Sequence, residues 1–313
     1  MRFNIVMKNA FIFTVLTILF ASSCTKTVNE FGAASPQQLV VFAEVEAGQS
    51  RPMVSIQSTF SNSEEVIFLS KESYVQIFVN DDEEPKDFRP VERDNRPEDK
   101  KDDESLWWAG TELKIEEGNA YRLFIKDFFE EFDAVEAVSY VPVSGELNVT
   151  NLTSPEIITS ENGLKSQFKC DFTIIDKDIN STYYHLTPYL LLNDDSKLYL
   201  NIEDVLLNEN AVIDLRHRDG ILIDNSIVDG ASDVSLNMSI PHKLEDLDLL
   251  SMFVNFELRT VPKDYFLYHR SISQNIDSGE SVFSPPTVTH SNFSGGYGIF
   301  ATYSSTLDSI AIN

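Results

Sequence analysis

Leu39-Val40-Val41-Phe42-Ala43-Glu44-Val45 decides how the rest of the chain is read, and Met53-Val54-Ser55-Ile56 and Tyr74-Val75-Gln76-Ile77-Phe78-Val79 follow it in kind. Branched and aromatic residues recur there with period two, as a half-buried pleated strand requires. The pattern resumes at Leu113-Lys114-Ile115, Tyr121 to Ile125 and Ala134 to Val141. Beyond Pro142 and a Ser144-Gly145 turn it returns at Phe168 to Ile175, Tyr183 to Leu192, Leu198 to Leu200, Val234 to Ile240 and Phe253 to Thr260. Turn residues such as Asn193-Asp194-Asp195, Asp219-Gly220 and Asp229-Gly230 separate these runs. Helical spacing is confined to Leu244–Leu250 and a stretch from Pro262, where Tyr265, Tyr268 and His269 recur at i, i+3 and i+4. The expected fold is all-β, with two mostly antiparallel β domains. The first, 38–143, is read as an Ig-like sandwich, and the second, 144–313, as a β-sandwich or barrel-like domain with short helices.

Composition narrows the function classes. The 313 residues include 24 Lys+Arg against 50 Asp+Glu, a formal net charge of −26 that repels polyanions and excludes nucleic acid as a partner. An apolar share of 42 %, with 22 Phe and 11 Tyr, can build real cores, so the bulk of the chain is not disordered. Two cysteines exclude a disulfide framework. Asn80 to Glu104 holds 12 acids, 6 bases and three prolines, and reads as a solvated excursion between strands. Its carboxylates, Asp102, Asp103 and Glu104 among them, are read as hydrated and not as a calcium site. Trp107 and Trp108 follow, one expected to re-enter the core and the other to sit on the surface, where an indole can stack on a ligand.

The N-terminus carries an address. Arg2 and Lys8 precede the uncharged run Ala10 to Phe20, then the small residues Ala21, Ser22 and Ser23, and then Cys24. An uncharged run of eleven residues suits a signal-peptide core, whereas a membrane-spanning helix needs about 20 apolar residues. Cys after small residues resembles the lipobox of bacterial lipoproteins, with Ala21 where Leu is usual. The expectation is a signal peptide over 1–23, lipid on Cys24, and a polar tether to residue 37. Thr25 to Asn29 carries Lys26 and no acid, so the surface and the periplasmic face of the outer membrane both stay open.

No enzyme chemistry is legible. The five histidines, at 185, 217, 242, 269 and 290, form no HExxH or other close pair, so no metal ligand set is read. Asp176-Lys177-Asp178-Ile179-Asn180 begins like a calcium loop, but Ser181 stands where Gly is needed and Thr187 where a bidentate Glu is needed. No GxSxG elbow occurs, and His217-Arg218-Asp219 lacks every other kinase element. Cys170 alternates with Phe168 and Phe172, which places it on the core face of a strand, not at a reactive site. No catalytic residue and no cofactor is assigned.

The C-terminal segment is distinctive: Asp264-Tyr265-Phe266-Leu267-Tyr268-His269, then Phe283-Ser284-Pro285-Pro286, then Ser291-Asn292-Phe293-Ser294-Gly295-Gly296-Tyr297-Gly298-Ile299-Phe300. It resembles the domain of unknown function 4249 family of Bacteroidota outer-membrane lipoproteins, with Phe293 where Ile is usual. Leu39-Val40-Val41, Ala137 to Pro142, and Phe172 to Asp176 followed by Tyr183-Tyr184 extend the likeness over roughly residues 24–313. Such proteins are often encoded beside TonB-dependent receptors, so the resemblance implies a non-enzymatic accessory role in uptake and a receptor partner. The alternative is an independent surface module that binds glycan or protein through Trp107 or Trp108. Gly295, Gly296 and Gly298 are expected to take backbone angles costly to other residues, with Asn292 capping a turn and Phe300 packing inward. Tyr297, on the same glycine loop, is the remaining contact candidate. Asp308-Ser309-Ile310 resembles a short O-glycosylation motif of this bacterial group, which makes Ser309 the candidate acceptor.

Overall fold

The computed structural model describes residues 37–59, 69–80, 82, 84–96, 106–110, 113–160, 163–177, 183–207, 212–214, 220–224, 231–241, 246–247, 251–279 and 289–312. The first strands are β1 (Leu39–Glu46), β2 (Met53–Ser58), β3 (Tyr74–Val79), β4 (Lys86–Pro90), β5 (Leu106–Gly110), β6 (Ala120–Lys126) and β7 (Val135–Tyr140). Then come β8 (Glu146–Leu152), β9 (Glu156–Ser160), β10 (Gly163–Ile175), β11 (Tyr183–Leu191), β12 (Lys197–Tyr199), β13 (Asn201–Leu207), β14 (Val212–Asp214), β15 (Ile221–Asp224), β16 (Ala231–Ile240) and β17 (Phe253–Val261). Helix α1 (Lys263–Gly279) and strand β18 (Tyr297–Ala311) close the chain. The protein is an all-β sandwich.

Two sheets carry it. The larger runs β14-β15-β11-β17-β18-β1-β2-β5-β4-β3-β6-β7, with β12 added on β11. The smaller runs β13-β16-β10-β8, with β9 on β10. Pairing is antiparallel except between β1 and β18, which run parallel from Val40↔Tyr297 to Glu46↔Tyr303. Beyond Tyr303, β18 leaves β1 and pairs with β17, from Thr260↔Ser304 to Phe253↔Ala311.

The alternation seen in the sequence is the alternation of burial. Leu39, Val41, Ala43 and Val45 point into one core with Val54, Ile56, Val75, Ile77, Trp108, Tyr121, Leu123 and Ile125, and Phe293 and Phe300 complete it from the far end of the chain. A second core gathers Phe168, Cys170, Phe172 and Ile174 of β10 against Leu186, Leu190, Leu236, Met238, Phe256 and Leu258. Cys170 is therefore a core residue, and burial, followed by the nearby charges of Asp171 and Asp308, pushes its thiol up to about 12. The thiol stays protonated and unreactive at neutral pH.

Four readings change. Asn80 to Glu104 is not one loop: Lys86–Pro90 forms β4 between β3 and β5, and Arg93–Asn95 makes a short helical turn. A single apolar side chain, the buried Phe88, anchors β4, too little for charge and proline counting to reveal. Asp102, Asp103 and Glu104 lie outside the described residues. Leu113 and Ile115 are buried but extend no strand; Ile115 instead brackets the β1–β2 turn, with N–H to Gln49 O at 3.2 Å and its carbonyl accepting from Gly48 at 2.7 Å. Both tryptophans are interior. Trp108 enters the first core, while Trp107 is only 8 % exposed, covered with Ala109 by Val91 as the chain leaves β4. Neither indole offers a stacking face. Finally, the helix that begins after Pro262 runs 17 residues, longer than a short helix, while most of Leu244–Leu250 lies outside the described residues. Among the described residues, no helix is long and apolar enough to cross a membrane.

Candidate functional site

The described parts of the distinctive C-terminal segment, residues 264–269 and 291–300, converge on one joint, where α1, β18 and β1 meet, while Phe283 to Pro286 lie outside the described residues. Pro262 sets the helix entry, and Asp264 in the first turn suits the positive end of the dipole. Spacing then puts Tyr265, Phe266 and His269 on the face that packs against β18, β11 and β15. Phe266 and Tyr265 are buried there with Leu222, Val261, Ile299 and Ala301.

Three of the five histidines hold this helix. His185 of β11 meets the Tyr265 hydroxyl through Nδ1 at 2.8 Å. His269 Nε2 lies 2.5 Å from Glu44 Oε1 of β1, and its ring sits 4.3 Å from that of Tyr265. His290, beyond the helix, lies 2.9 Å from Asp264 Oδ1 and donates its backbone N–H to Ser271 Oγ at 2.9 Å. His185 Nε2 faces Thr187 Oγ1 at 3.4 Å.

Beneath this layer lies a buried carboxylate. Glu257 accepts from Arg259 Nε at 2.6 Å and from Lys197 Nζ at 2.9 Å. Burial raises its pKa, but the Arg259 charge and the two hydrogen bonds outweigh this and hold the carboxyl below its ordinary value. The Arg259 guanidinium also lies 4.9 Å from the centre of the Tyr303 ring. Burial pushes the Tyr303 phenol up to about 12; Arg259 opposes this, and Glu46, Glu44 and Glu257 add to it. Burial likewise lifts Tyr265 well above its ordinary value, so both phenols stay neutral. The cluster is rich in acid–base groups, yet they are spent on one another. Its physical work is to seat a helix on a sheet. Among the described residues, no group of three or more His, Cys, Asp or Glu is placed to hold a metal ion.

The glycine-rich segment performs the matching task for β18. Asn292 Nδ2 donates to Phe300 O at 2.7 Å and its Oδ1 accepts from Phe300 N at 3.0 Å, so one side chain stands in for a strand neighbour. Gly295 and Gly298 have positive φ, +79° and +113°, as expected. Gly296 does not, and its reason is proximity: a Cβ there would lie 2.8 Å from Val135 Cγ1 and 2.9 Å from Leu39 O. Tyr297, between them, is 51 % exposed, so it alone of the three aromatic contact candidates faces water. Ser309 is exposed on β18, with its N–H donated to Asp308 Oδ1 at 2.8 Å. Cys24 lies outside the described residues.

Sequence reasoning missed the histidine cluster, because Glu44, His185 and His269 are brought together only by topology. It also missed Lys126–Asp133, where Phe128 and Phe129 are exposed beside the buried Phe132. The hint was an uninterrupted Phe-Phe-Glu-Glu-Phe-Asp between two alternating strands.

No match was found among curated proteins. The family described as Domain of unknown function (DUF4249) matches residues 26–308, which takes in β1 to β17, α1 and β18 as far as Asp308. This chain belongs to the DUF4249 family.

Proposed function

We propose that the protein is a lipid-anchored, non-enzymatic component of a bacterial outer membrane, serving as accessory to a TonB-dependent receptor in nutrient uptake. One observation carries the reading: an apolar run, Ala10 to Phe20, ends in small residues followed directly by Cys24. Two or three acyl chains, at about 0.8 kcal/mol per buried CH₂, would anchor such a chain stably. The joint supports the non-enzymatic part, since its histidines, tyrosines and carboxylates bond one another while they hold α1 down.

Cells making the protein are fed labelled palmitate. Label is expected on the wild type and lost in Cys24→Ser, which should also leave the membrane fraction. Affinity isolation from solubilised membranes is expected to recover a TonB-dependent receptor, and deletion of the gene to impair uptake of a nutrient. An unlabelled wild type removes the anchor. Recovery of the lipoprotein alone, with uptake intact, removes the accessory role.

A further inference from the structure

Between β6 and β7 the chain reads Lys126-Asp127-Phe128-Phe129-Glu130-Glu131-Phe132-Asp133. Phe132 is buried in the first core, but Phe128 and Phe129 are 46 % and 63 % exposed, with their rings edge to face at 5.2 Å. Tyr74, 52 % exposed, pairs in register with Lys126 at the root of the loop. A contiguous exposed aromatic patch on a folded protein marks a contact surface.

The loop is built, not loose. The buried Asp127 carboxylate accepts from Ser73 Oγ at 2.7 Å and from Glu131 N at 3.0 Å, while Phe128 N donates to the same Ser73 hydroxyl at 3.0 Å. Glu130 is held at φ +60°, a left-handed conformation that a residue with a Cβ keeps only when its surroundings impose it. The backbone that carries both rings is thus held in one arrangement, so little backbone freedom remains to be lost on binding.

We propose that this loop docks on another protein, in an apolar cleft bordered by Lys or Arg. The charge around the rings selects that occupant. Glu72, Glu131 and Asp133 are exposed and make no ion pair among the described residues, whereas Lys126 is taken up by Glu130 at 3.9 Å. An acidic collar matches a basic rim and is repelled by an anionic lipid surface. Rings packed edge to face do not lie flat as one platform for a sugar. Naming the partner as a TonB-dependent receptor rests on the preceding reading; the docking site does not.

The test places a photo-crosslinking benzoyl-phenylalanine at Phe129 of the full chain in producing cells, with the same probe at Leu307, 65 % exposed, as control. One discrete protein adduct is expected from position 129 and none from 307. Phe128→Ala, and separately Glu131→Lys with Asp133→Lys, should each cut its yield about tenfold while the melting temperature stays unchanged. An adduct to a TonB-dependent receptor with those losses supports the site and the receptor reading together. An adduct to a different protein with the same losses supports the site and overturns the receptor reading. No adduct, the same adduct from both positions, yield indifferent to charge reversal, or adducts only to lipid or glycan would each overturn the site.

Discussion

Gly298→Ala is expected to lower the melting temperature by roughly 10 °C or more, corresponding to a loss of about 4 kcal/mol. Two effects add at this position. The residue sits at φ +113°, and a Cβ would stand 1.8 Å from Val41 O and 2.9 Å from Val41 N, so the parallel pair between β1 and β18 could not close. Gly48 separates the two effects. It also has positive φ, +86°, but a Cβ there meets nothing within 4 Å. Gly48→Ala should therefore cost only the backbone penalty, about 1–2 kcal/mol. Equal losses in the two variants would show that crowding against β1 is not what position 298 requires.

Glu257→Ala is the second large effect, with an expected loss of about 3 kcal/mol because it leaves the half-buried Arg259 guanidinium, and Lys197 beside it, without their carboxylate. Replacing both, Glu257→Met with Arg259→Leu, should recover most of that loss, since an apolar pair needs no counter-charge. The pH dependence follows from the depressed Glu257 carboxyl. Folding favours its ionised form, so the contribution is complete above the ordinary glutamate pKa of about 4.3 and fades as pH falls through the lower folded value. Tyr303 acts at the other end. Its phenol, raised to about 12, favours folding fully below its ordinary value, and that contribution fades as pH rises toward 12. Thermal unfolding of the wild type and both variants from acid to alkaline pH checks this. A Glu257→Ala melting curve superimposed on the wild type would sink the assignment.

Period two was readable wherever one face of a strand is buried and the other wet, as in β1, β3 and β6. It fails where both faces are covered: Gly298 to Ser304 is buried residue after residue, so the long β18 shows no alternation. It fails again in β4, whose burial rests on Phe88 alone. The parallel pairing of β1 with β18 joins residues more than 250 positions apart, which no local pattern encodes. The joint was half legible. Its helix spacing and its glycines are local features, but the partners that explain them, Glu44, His185 and Val41, lie on other strands. Trp107 illustrates the same limit, because the residue covering it, Val91, belongs to a segment whose charge suggested solvent.

Helix α1 and strand β18 close the fold, locked onto β1 by Glu44–His269 and by the parallel pairing from Val40 to Glu46. Native-state hydrogen exchange tests it most directly. Amides of Val41, Ala43 and Val45 in β1 and of Ile299, Ala301 and Tyr303 in β18 should exchange only through global unfolding, with one common free energy and one common denaturant dependence. Exchange of the β18 amides through a separate opening of much lower free energy, while β1 stays protected, would contradict it.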